Sequence, residues 1–183
     1  GISAEHLHNS DEALESFAPT ESENNSAAVL RLNDGCPMSC GYCASRSLCG
    51  GFSPGRPEKA FERLKYLNEN YGVSNFAFYD DALLFSDEEV FRPFLRMVID
   101  YSTVSGQSLS FYTPNAMHIR YMSMETAMLM KAAGFREVRL GFESSSTEFH
   151  TEYDKKYSES GFHQTINMLS DAGFKRQEII VYI

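Results

Sequence analysis

Tryptophan is absent from the 183 residues, basic side chains are outnumbered, and no apolar run approaches membrane length. Each shortage excludes something. With 16 Lys and Arg against 25 Asp and Glu, the net charge is −9. No long-range positive field therefore gathers nucleic acid or an anionic membrane, and nucleic-acid binding through this segment is not expected. The ~18–20 apolar residues of a membrane helix are missing, as are the basic and apolar stretches of a secretory signal, so the chain reads as soluble and cytoplasmic. Cysteine is scarce outside one stretch: all four lie between Cys36 and Cys49. A disulfide scaffold would spread them along the chain, whereas clustered thiols favour metal. A phosphate loop is also missing, because Gly50-Gly51 lacks the Lys-Ser/Thr that would follow.

What is present is ordinary globular composition, 43% hydrophobic and 22% charged, with aromatic content resting on 14 Phe and 10 Tyr. That excludes a fibrous or disordered chain. The six acids of residues 1–27 face no Lys or Arg there, which leaves −3 for the other 156 residues. We read 1–27 as a poorly ordered acidic leader, with a capping box at Asn9-x-x-Glu12 as its one helical signal, and 28–183 as one domain. The chain starts at Gly1 and ends on the apolar Val181-Tyr182-Ile183. Both ends read as cut from a longer protein.

From residue 28 apolar runs alternate with helical patterns. Strands are predicted over 28–32, 75–79, 108–112, 137–140 and 179–183. Pro57 opens a first helix that Gly72 stops; Ser86-x-x-Glu89 is a capping box for a second, where Pro93 forces a kink or a late start. Ser123 caps a third helix ending at Gly134, and a fourth around Phe162, Ile166 and Leu169 ends at Gly173. The segment Lys131-Ala132-Ala133-Gly134-Phe135-Arg136 recurs as Ser170-Asp171-Ala172-Gly173-Phe174-Lys175. A glycine cap followed by Phe is how a helix hands over to the next strand of a repeated βα unit. Met117, Met122, Met124, Met128 and Met130 are expected to fill the core, and the five histidines show no ligand spacing beyond His6-x-His8. The expected fold is α/β, a parallel sheet wound open or as a barrel.

The chemistry concentrates in Cys36-Pro37-Met38-Ser39-Cys40-Gly41-Tyr42-Cys43, directly after the first strand. Three thiolates this close grip one compact metal centre from one side, and a cubane held by three cysteines keeps one iron open. The alternative is a closed zinc or iron–sulfur site with Cys49 as fourth ligand, in a non-catalytic or electron-transfer module.

A strand followed by Cys36-x3-Cys40-x2-Cys43, with Tyr42 before the last cysteine, resembles the signature of the radical S-adenosylmethionine (radical SAM) enzymes. Phe78-Tyr79-Asp80-Asp81, Thr113-Pro114-Asn115 and Leu140-Gly141-Phe142-Glu143-Ser144 are similar to the corresponding segments of the cobalamin-type and Elongator-like branches, and the likeness covers residues 31–183. It implies an incomplete TIM-like (β/α) barrel of about five of six βα units, with its site at the carboxyl ends of the strands. It implies that Cys36, Cys40 and Cys43 bind a 4Fe-4S cluster whose open iron is chelated by S-adenosylmethionine. Reductive cleavage would then give a 5′-deoxyadenosyl radical that abstracts a substrate hydrogen, with a flavodoxin or ferredoxin as electron donor. Tyr42 would cover the cluster and adenine. Asp80 or Asp81 stands where the family carries a Gly-Gly-Glu element receiving the cofactor's ammonium; Glu143 would hold the ribose hydroxyls with help from Ser144, and Asn115 would face the cofactor or substrate. No catalytic residue and no substrate follow from the resemblance.

Overall fold

The computed structural model describes residues 27–49, 51–154 and 159–183. The leader up to residue 26, with its Asn9 cap and His6-x-His8, lies outside the described residues. Strands β1 (Ala27–Leu30), β4 (Asn75–Phe78) and β5 (Ser110–Tyr112) form one parallel sheet, and β6 (Met117–His118), β7 (Val138–Gly141) and β8 (Ile179–Tyr182) form another. A parallel bridge between Phe111 and Phe135 joins them, so β5 and β6 act as one strand bent at residues 113–116. The order becomes β1, β4, β5/β6, β7, β8, and among the described residues β1 and β8 do not pair. The result is the expected incomplete parallel barrel: the five predicted strands appear with each boundary within two residues of its prediction, while the two-residue β6 is absent from the prediction.

The helices start and stop where the sequence carries caps, with one exception. Helix α2 (Pro57–Tyr71) begins at its proline and ends on Gly72, which is left-handed at φ 67°. In α4 (Met124–Ala133) the Ser123 hydroxyl accepts the Thr126 N–H at 3.1 Å. Gly134 must be glycine twice over: φ is 107°, and a Cβ would sit 2.4 Å from the Leu109 carbonyl oxygen. Phe135 and Phe174, following their glycine caps, are both buried. The exception is the Ser86-Glu89 capping box. Ser86 closes a 3-10 turn (Leu83–Ser86), and its hydroxyl donates to Asn33 Oδ1 at 2.6 Å instead of capping. A π turn (Asp87–Phe91) follows, and α3 (Arg92–Ser105) starts late because Pro93 needs a first-turn position.

A cluster of phenylalanines packs at the centre of the core among buried leucines. Phe76 and Phe78 from β4, Phe111 from β5 and Phe135 just ahead of β7 are fully or almost fully buried, with neighbouring ring centroids 5.3–5.8 Å apart and near-parallel planes. Phe91 and Phe94 meet them edge-on from the π turn and α3. Such pairs add about 0.5–1.5 kcal/mol each beyond area burial. Met117, Met122 and Met130 are buried as expected, but Met124 and Met128 are exposed. Helix α4 turns their face outward, because Thr126, Ala127, Met130 and Ala133 supply its buried side.

Candidate cofactor-binding site

Two short strands absent from the sequence reading frame the cysteine loop. β2 (Asn33–Asp34) pairs antiparallel with β3 (Ser53–Pro54), and the loop between them carries α1 (Ser45–Cys49). Gly35 allows the closure: its φ is 69°, and a Cβ there would lie 1.8 Å from the Gly51 carbonyl oxygen. Asp80, buried at the end of β4, holds the other side. Its Oδ1 accepts the N–H groups of Leu32 at 3.0 Å and Asn33 at 2.6 Å, and Oδ2 lies 3.2 Å from the Leu32 nitrogen. The carboxylate thus fixes the chain where β1 turns into the cysteine loop. Burial pushes its pKa up to about 7 against the lowering effect of those same hydrogen bonds.

Beyond this clamp lies a cavity of about 350 Å³ at the carboxyl ends of the strands. Cys36, Cys40 and Cys43 open on it together with Tyr42, Asp81 from the turn after β4, His118 from β6, and Gly141 and Glu143 from the end of β7. Four stretches remote in sequence meet there. Cys36 and Cys40 are half-buried and Cys43 is exposed. Cys43 Sγ lies 3.5 Å from the Ser45 backbone nitrogen and 3.4 Å from its hydroxyl. Desolvation raises the pKa of the Cys36 thiol, the Met38 N–H lowers it, and the neighbouring Cys40, Asp81 and Cys43 raise it further. Three thiols and the carboxylates of Asp81 and Glu143 gather here with no Lys or Arg in the lining, so a cationic centre would relieve the site, and clustered thiols are the donors an iron–sulfur cluster takes. Among the described residues, no three His, Cys, Asp or Glu side chains converge on one mononuclear metal position.

The remaining expected residues separate into those that face the cavity and those that do not. Asp81 is exposed and lines it, whereas Asp80 is spent on the Leu32 and Asn33 backbone just beyond β1. Asn115 turns away; its amide donates to the carbonyls of Tyr79 at 3.2 Å and Asp80 at 3.3 Å, supporting the turn that carries Asp81. Glu143 lines the cavity with φ at 64°, the only left-handed non-glycine among the described residues. The N–H groups of Phe142 and Glu143 both donate to the Tyr182 carbonyl at 3.0 Å, which holds this sparsely populated conformation. Ser144 is outside the lining; its hydroxyl accepts the Ser146 N–H at 3.1 Å, a turn role. Cys49 is also outside the lining, with its thiol 3.6 Å from Asp81 Oδ2.

Tyr42 stacks on Phe149, centroids 5.7 Å apart, and its hydroxyl donates to Asp154 Oδ2 at 2.7 Å. Desolvation first, and then the Asp154 carboxylate, push its phenol well above the ordinary range. Asp154 and its partner His150 escape the sequence reading; their only local signal is the i,i+4 spacing, which suits one turn of helix.

The model of the radical SAM superfamily matches residues 30–183. An uncharacterized methyltransferase of Pyrococcus horikoshii is 26% identical over 119 residues, 64% of this chain and 24% of that protein. Among solved structures, the radical S-adenosylmethionine methyltransferase TsrM of Kitasatospora setae, with tryptophan and a SAM analogue bound, superposes with a TM-score of 0.72 at 15% identity, over 85% of this chain and 30% of TsrM. The cobalamin-dependent radical enzyme OxsB gives 0.66 at 14% identity, over 87% of this chain and 24% of OxsB. The chain thus spans 24–30% of the length of these relatives. Among the described residues no helix is long and apolar enough to cross a membrane. The chain, a parallel partial barrel with three cysteines at its carboxyl rim and matched over residues 30–183, belongs to the radical SAM superfamily, whose members use a 4Fe-4S cluster and S-adenosylmethionine.

Proposed function

We propose that this chain is the radical-generating core of an enzyme that reductively cleaves S-adenosylmethionine, with Cys36, Cys40 and Cys43 as the three protein ligands of its 4Fe-4S cluster. The observation that carries the reading is the convergence of these thiols with Asp81 and Glu143 on one cavity at the carboxyl ends of the parallel strands. Cys36, Cys40 and Cys43 would hold a 4Fe-4S cluster, which when bound would supply the one-electron reductive cleavage of S-adenosylmethionine that precedes hydrogen abstraction from a substrate.

The chain's own residues bind and orient. Asp81 offers the charge that the cofactor's ammonium needs, while Asp80 keeps the cysteine loop in register. Glu143, held by the Tyr182 carbonyl, presents a carboxylate to the ribose hydroxyls, and Tyr42 covers the cluster side and limits water. A flavodoxin- or ferredoxin-type protein is the electron donor of this proposal.

Anaerobic reconstitution with iron and sulfide tests the ligand set. Four irons per chain in the wild type and in Cys49→Ala, with cluster absorbance lost in Cys40→Ala, is the expected result. Retention that depends on Cys49 would replace this reading with a closed site.

A further inference from the structure

A buried polar pair, His150 and Asp154, lies behind the cavity wall that carries Tyr42. His150 and Asp154 lie on the π turn His150–Asp154 that follows a single helical turn, Thr147–Phe149, with their side chains 2% and 0% exposed. His150 Nδ1 lies 2.8 Å from Asp154 Oδ1, and His150 Nε2 lies 2.6 Å from the Ser144 carbonyl oxygen. Asp154 Oδ2 accepts the Tyr42 hydroxyl. The chain of contacts runs from Tyr42, between two of the clustered cysteines, to Ser144, beside Glu143. One further hydrogen bond ties the cysteine loop to the π turn: the Gly41 N–H donates to the Tyr153 carbonyl at 2.8 Å, and the Tyr153 ring lies so close that a Cβ on Gly41 would meet it at 3.0 Å.

Donor counting defines the group. The Ser144 carbonyl only accepts, so Nε2 carries a hydrogen; the Tyr42 hydroxyl donates to one Asp154 oxygen, so the Nδ1 to Oδ1 contact needs one more proton between them. The pair is therefore net neutral, whichever partner holds that proton. Two polar groups buried this deeply are costly unless every contact is made, so the brace has one favoured arrangement.

The geometry points to His150 and Asp154 as positioning residues that lock the cysteine loop to the Glu143 turn, fixing the distance between the cluster-binding and nucleoside-binding walls of the cavity. This rests on the proposed cofactor site, but the brace itself does not require the cofactor to be bound.

Two measurements separate them. Hydrogen exchange on the protein without cluster should show segments 38–44 and 141–146 losing protection together in Asp154→Ala, and regaining it in Asp154→Asn. The amide reproduces the neutral pattern by donating to Nδ1 and accepting from Tyr42. In the reconstituted protein, S-adenosylmethionine should bind about 5- to 20-fold more weakly in Asp154→Ala and in Tyr42→Phe, no more weakly in the double variant, and within about 2-fold of wild type in Asp154→Asn. Exchange confined to residues 147–154, or losses that multiply in the double variant, would overturn the brace. Failure of the wild type to bind S-adenosylmethionine would refute the cofactor reading and leave the exchange result to decide the brace.

Discussion

Asp80 makes stability depend on pH in an unusual direction. Most paired carboxylates stabilise a fold when ionised, but this one is buried at the start of the cysteine loop and its pKa is pushed up to about 7 by desolvation. In the unfolded chain it titrates near the ordinary aspartate value of about 4. Between the two values the folded state binds a proton that the unfolded state has released, so the contribution is present at low pH and is lost as pH rises through 7. At about 1.4 kcal/mol per pKa unit, moving from pH 5 to pH 8 removes on the order of 2–3 kcal/mol of stability from this group alone. Other titrations overlap, so Asp80→Asn is the reference. Urea unfolding of both proteins at pH 5, 6, 7 and 8 should show the wild type losing about 2–3 kcal/mol relative to the variant across the series. A difference that stays flat, or that grows in favour of the wild type with rising pH, would mean that the Leu32 and Asn33 N–H groups outweigh burial and keep the carboxylate charged.

Two further perturbations probe the frame. Gly35→Ala combines a left-handed backbone, costing about 1–2 kcal/mol, with a Cβ driven into the Gly51 carbonyl; iron uptake on reconstitution should collapse while far-UV circular dichroism keeps its helical signal. Phe135→Ala removes a ring that touches Phe78, Phe91 and Phe111 and should destabilise by about 3–5 kcal/mol in the same urea assay.

Local signals and long-range ones fared differently. The strands, the Ser123 cap and the Gly134-Phe135 and Gly173-Phe174 handovers were legible because each is decided within a few residues of chain. The cysteine loop was legible for the same reason, and the order of the later segments located the other wall of the cavity. Ser86 misled because its hydroxyl answers to Asn33, 53 residues away, rather than to its own helix. Asp80 and Asp81 look equivalent in sequence, yet one is clamped by the end of β1 and the other opens on the cavity. Asn115 has a polar side chain in a plausible place for ligand contact, but two backbone carbonyls claim it. His150 and Asp154 could be seen only once the fold brought Tyr42 and Ser144 to either side of them.

The most direct test of the central claim is electron paramagnetic resonance of the reduced, reconstituted protein with and without S-adenosylmethionine. The account predicts a reduced-cluster signal that changes on adding the cofactor, persists with that response in Cys49→Ala, and is lost in Cys40→Ala. A signal indifferent to S-adenosylmethionine would contradict it, because a cluster without an open iron cannot take the cofactor as a ligand.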